Sequence, residues 1–165
     1  MKISATFDYP ATPQEVFAML ADEDFQARKC LATGALGHSV SVRAQGDRTV
    51  IVSSRDLPTD NFPDFVKSFV GATLAVTETQ DWGPADPNGA RQGRLTVDLD
   101  GVPMDLAGTL SLAPAGRGSV ESVDGDLKAR IPLLGGKIER AAAPAIESAM
   151  RAEQETGQAW LHTAR

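Results

Sequence analysis

Cysteine occurs once, at Cys30, which excludes an internal disulfide. Histidine occurs twice, at His38 and His162. The chain has no Cys-x-x-Cys pair, His-Glu-x-x-His run, phosphate-binding glycine loop or nucleophile elbow. No catalytic residue, metal or cofactor is therefore expected. Positive charge is scarce: 16 basic residues face 22 acidic ones, a net charge of −6. The basic residues are scattered singly, so neither nucleic acid nor an anionic membrane surface is an expected partner. No apolar run is long enough to span a bilayer. The N-terminus lacks the apolar stretch of a signal peptide, so the expected location is cytoplasmic. Aromatic residues make up only 5% of the chain. A core short of large side chains is either tightly packed or partly empty.

What remains is an ordinary globular composition, with 42% hydrophobic and 23% charged residues in 165. That length suits one domain over residues 1–165, as a monomer or homodimer. Ile3, Ala5, Phe7 and Tyr9 alternate with polar residues, which predicts a half-buried strand. Thr12, Pro13 and Glu15 then form a capping box opening a short helix, and Asp22-Glu23-Asp24 opens a second one. From Leu36 the period returns to two. Turn formers at Gln45–Asp47, Gly83–Gly89, Gly101 and Pro114–Gly118 separate further strands. A short helix with Phe62, Phe65 and Phe69 interrupts them. Seven strands are predicted, the last six as an antiparallel meander.

Residues 134–162 are predicted to form one long amphipathic helix. An arc of about 140° collects Ile138, Ala141, Ala142, Ala145, Ile146, Ala149, Ala152, Thr156, Ala159 and Trp160. Arg140, Glu147, Arg151, Gln154, Glu155 and Gln158 lie opposite, and Pro144 falls on the polar side. Only this helix is large enough to cover the meander's apolar face.

This order resembles the START-like superfamily of helix-grip proteins, which includes the polyketide cyclase/dehydrase proteins and the birch pollen allergen. In detail it resembles one uncharacterised bacterial family within it. The matching stretches are Ala11-Thr12-Pro13-Gln14-Glu15-Val16-Phe17 and Ile131-Pro132-Leu133-Leu134-Gly135-Gly136-Lys137-Ile138-Glu139. The resemblance implies an α+β helix-grip fold, a curved seven-stranded antiparallel sheet around the C-terminal helix, with two short helices after strand one. It also implies a cavity between helix and sheet holding a hydrophobic small molecule or lipid. Cyclase-like catalysis and a co-chaperone-like interaction surface are the alternatives.

The alanine-rich helix face has two readings. Either alanine lets the helix lie close on the sheet, or the missing side-chain volume is a pocket. On the second reading the candidates for lining it are Phe17, Phe65, Phe69, Trp82, Met104, Ile138, Ala142, Ala145, Ile146, Ala149 and Glu153. The Phe62–Phe69 segment is either a satellite of the core or a lid hinged at Gly71. Glu153 borders the apolar arc, and its carboxylate is expected to reach water. If buried instead, it would be raised in pKa and available to a ligand. His38 begins a strand and is able to point inward. Asp98, Asp100 and Asp105 are expected on the solvated face.

Overall fold

The computed structural model describes residues 1–164. Side-chain alternation builds a seven-stranded antiparallel sheet from β1 (Lys2–Tyr9), β2 (Gly37–Gln45), β3 (Arg48–Pro58), β4 (Thr73–Trp82), β5 (Arg91–Leu99), β6 (Met104–Ala115) and β7 (Gly118–Ala129). The strand order is β1-β7-β6-β5-β4-β3-β2, a meander closed by β1 pairing with β7. Ile3, Phe7 and Tyr9 of β1, Val76 and Trp82 of β4, and Leu106, Leu110 and Leu112 of β6 are buried on the inner face. Gly108 and Gly125 pair across β6 and β7 on that face. A Cβ on Gly108 would stand 2.2 Å from the Asp124 carbonyl oxygen, so only glycine permits this approach.

Two short helices follow β1. The first, α1 (Pro13–Leu20), begins as its sequence dictates: Thr12 accepts from the Glu15 amide while the Glu15 carboxylate accepts from the Thr12 amide. The second, α2 (Glu23–Ala32), is capped by the Asp22 carboxylate, which accepts from the Asp24 and Phe25 amides. Between β3 and β4 stands α3 (Asp64–Val70), stopped by Gly71 at φ 75°. The chain ends in α4 (Gly135–Thr163), which packs on α2, β1 and β7.

The helix α4 is rolled relative to its sequence pattern. Its fully buried residues are Ile138, Ala143, Gly157 and Leu161. Beyond Ile138 they lie roughly 90–130° from the centre of the alanine arc. Ala145 and Ala159 are exposed, and Gln154, assigned by pattern to the polar side, is half-buried. The roll follows from contact shape. Gly157 lies against the Tyr9 ring, and a Cβ there would stand 2.7 Å from Tyr9 Cε1. An alanine stripe carries too little apolar area to outweigh that fit. One further expectation is corrected. His38 is exposed on β2, an outer strand of the sheet. The short helix α3 has no fully buried residue, and Phe65 packs from it against the core.

Candidate functional site

A cavity of about 290 Å³ lies between α4 and the concave sheet. Its walls are apolar. Leu74, Val76, Leu95, Val97, Leu106, Leu110, Val123 and Leu127 come from the sheet, and Ile138, Ala142, Ile146, Ala149 and Met150 from α4. Phe62, Val66, Phe69 and Val70 close one side from α3 and the loop before it. Several lining residues are exposed: Asn61, Pro63 and Phe69 on one side, Pro144 and Ala145 on the other. They place the mouth between α3 and the proline-containing turn of α4. Roughly 150 Å³ of apolar cavity already suffices to hold benzene.

Of the candidates named above, Phe69, Met104, Ile138, Ala142, Ala145, Ile146, Ala149 and Glu153 line this cavity. Phe17, Phe65 and Trp82 do not. Phe17 stacks edge-on to Trp82 with ring centroids 6.0 Å apart, beneath the Arg91 guanidinium. Phe65 carries the Lys137 ammonium over its ring at 4.7 Å. Trp82 is fully buried and reaches the site only through hydrogen bonds.

Those bonds lead to a buried polar cluster inside the cavity. Trp82 Nε1 donates to Gln80 Oε1 at 2.9 Å, and Gln80 Nε2 donates to Glu78 Oε1 at 2.7 Å. Lys29 Nζ, projecting from α2, donates to the same Glu78 oxygen at 2.7 Å. It also stands 3.6 Å from Glu153 Oε2. Arg55 on β3 stands 3.7 Å from Glu78 Oε2. Glu121 on β7 is 1% exposed and lines the cavity. Its Oε2 has no hydrogen-bond partner, nor has Arg55 Nε.

The charge states follow from these surroundings. Burial alone would raise the Glu78 carboxyl, but the charges of Lys29 and Arg55 and the bonds from Lys29 and Gln80 outweigh it and hold it at about 2. Burial would lower Lys29, yet Glu153 and Glu78 hold its ammonium above the ordinary value. Glu121 is pushed well up, first by burial and then by the charges of Glu153 and Glu78, with Lys29 opposing. Glu153 is raised chiefly by burial, against the pull of Lys29. Rather than extending into water, its carboxylate lies 3.6 Å from Lys29 Nζ. Tyr9, whose hydroxyl also lacks a partner, is raised by burial and by Glu121 and Glu153.

Sequence reasoning passed over Lys29, Arg55, Glu78, Gln80 and Glu121. Their signal was parity. Glu78 and Gln80 share the inward register of Leu74, Val76 and Trp82, Glu121 that of Val123 and Leu127, and Arg55 that of Ile51 and Leu57. Lys29 shares the buried side of α2 with Phe25 and Cys30.

A curved antiparallel sheet around one long C-terminal helix is the helix-grip fold. The STAR-related lipid transfer protein of Xanthomonas axonopodis has the same architecture, with a TM-score of 0.59 and 13% identity over 94% of this chain and 85% of that one. A START superfamily protein of Mycobacterium smegmatis matches with a TM-score of 0.55 and 15% identity, over 93% and 94%. The chain belongs to the family described as protein of unknown function (DUF2505), whose profile matches residues 4–161. An uncharacterised protein of Mycobacterium tuberculosis, Rv0481c, is 26% identical to it over 93% of this chain and 92% of its own length.

Among the described residues, no helix is long and apolar enough to cross a membrane. No group of three or more His, Cys, Asp or Glu side chains among them is placed to hold a metal ion.

Proposed function

We propose that this protein binds a hydrophobic small molecule or a single lipid between α4 and the concave sheet, and carries it in the aqueous phase. The observation that carries this reading is the cavity itself: apolar walls over most of its surface and a few polar groups gathered among them. Hiding about 200 Å² of ligand surface there would contribute roughly 5 kcal/mol before the costs of association. These two architectural relatives, one named for lipid transfer, support it at the level of fold. The reading needs no nucleic acid, metal or cofactor, and either a monomer or a homodimer would serve.

The test is saturable uptake of a neutral apolar fluorophore. Wild-type protein should bind it. Ala142→Phe and Ala149→Phe, which place a ring in the cavity, should weaken uptake while leaving the thermal transition cooperative. No saturable uptake, or uptake untouched by either ring, sinks the proposal. Native mass spectrometry of protein from its own host would then give the mass of any retained molecule.

One observation favours a second reading, acid–base chemistry on the bound molecule. Glu121 and Glu153 are buried carboxyls held above their ordinary pKa values beside the cavity. Turnover of a reactive polyketide-like chain, lost in Glu121→Gln, would establish it. A filled interface between helix and sheet would favour a protein-interaction module, and the cavity supports ligand binding in its place.

A further inference from the structure

The charged groups lining the cavity do not balance. Two are cations, Lys29 and Arg55, and three are carboxyls, Glu78, Glu121 and Glu153. Lys29 is engaged by Glu78 and Glu153, and Arg55 stands beside Glu78. Glu121 is left without a cation, and its Oε2 has no donor of any kind although the side chain is almost wholly buried against the cavity. Leaving a buried acceptor unmet is costly, and a buried unpaired carboxylate costs more, so unliganded Glu121 holds a proton in place of a counter-charge.

We propose that the polar part of the cavity is a subsite for the ammonium group of a hydrophobic amine, whose nitrogen donates to Glu121 and takes the place of the Glu121 proton. This deepens the ligand-binding reading and rests on it. An aliphatic ammonium near pKa 10 enters charged at neutral pH. The Glu121 carboxyl gives its proton to solvent, and the liganded site holds three cations against three carboxylates. The apolar chain would then run along Leu110 and Val123 toward the mouth at α3. Every charged or titratable neighbour contributes to this state. Glu153 on α4 and Glu78 on β4 raise the Glu121 proton affinity, Lys29 on α2 lowers it, and Arg55 on β3 neutralises Glu78. The unpartnered hydroxyl of Tyr9 on β1 feels the Glu121 charge.

Octylamine, octanol and octanoate compared at pH 7, below their aggregation limits, test the subsite. Octylamine should bind about tenfold or more tighter than octanol, in keeping with a charge-assisted bond in a desolvated site. Calorimetry in buffers of different ionisation enthalpy should show about one proton released per octylamine and none per octanol. Glu121→Gln mimics the protonated acid and should keep the fold. It should abolish both the amine preference and the proton release. Octanoate binding as tightly as octylamine would overturn the inference and assign the subsite to Arg55. Equal binding of all three heads would also overturn it, with the cavity reading intact. Failure of both the neutral fluorophore and all three amphiphiles to bind would overturn the cavity reading and this inference together.

Discussion

Lys29 Nζ donates to Glu78 Oε1 at 2.7 Å across 49 residues of sequence, joining α2 to β4 inside the protein. The Lys29 side chain is 1% exposed. Breaking such a pair leaves a charge that neither water nor another partner fully meets. Lys29→Met should therefore lower unfolding free energy by about 3–5 kcal/mol. Adding Glu78→Gln should recover part of that loss. Urea denaturation of the two variants checks both. A single variant as stable as wild type would show that the pair is not a buried salt bridge.

The contact of Gly157 with Tyr9 sets how α4 lies on β1. Alanine is the better helix former by about 1 kcal/mol. Gly157→Ala should nevertheless destabilise by about 1–3 kcal/mol, because the new Cβ meets a buried ring. Thermal unfolding measures the sign directly. A gain in stability would mean that Tyr9 moves aside freely.

Glu121 makes stability fall as pH rises. Its folded carboxyl is held well above the unfolded value of about 4.3, so between those values the folded state holds the extra proton. The contribution is complete below the unfolded value. It is lost at up to about 1.4 kcal/mol per pH unit as pH climbs toward the folded value. Glu121→Gln lacks this loss, so its stability relative to wild type should improve as pH rises above about 4.3. A pH-independent difference between the two would show that Glu121 ionises normally in the folded protein.

Leu133 has φ 64° and its side chain is wholly exposed. A left-handed leucine costs roughly 1–2 kcal/mol, and no burial offsets it. Leu133→Gly should therefore be more stable than Leu133→Ala by about 1 kcal/mol, reversing the usual order of these residues. Equal stabilities in chemical denaturation would remove the strain from this loop.

Much of the fold was readable because its signals are local. The Thr12–Glu15 box, the alternation of Ile3 to Tyr9, and the turn formers at Gly83–Gly89 act within a few residues. The site was half readable. Ala142, Ala149, Ile138 and Met104 were found because an apolar face must bury against something. Lys29, Glu78 and Glu121 were passed over because a charged residue on an inward register looks like a fault until its partner is known. Those partners are supplied by other strands and helices. Phe17 and Trp82 were drawn toward the cavity by their size, yet their rings complete each other outside it.

The low aromatic content and the alanine-rich final helix already determined that one surface of this protein would be short of side-chain volume. Periodicity and caps determined the order of strands and helices. Tertiary structure alone decided that the missing volume is a cavity, because α4 makes its tight contact through Gly157 on Tyr9 and leaves Ala142 and Ala149 facing open space. It alone decided which charges meet there. Pairing in a low-dielectric interior depends on distance in space, and spacing along the chain does not encode it.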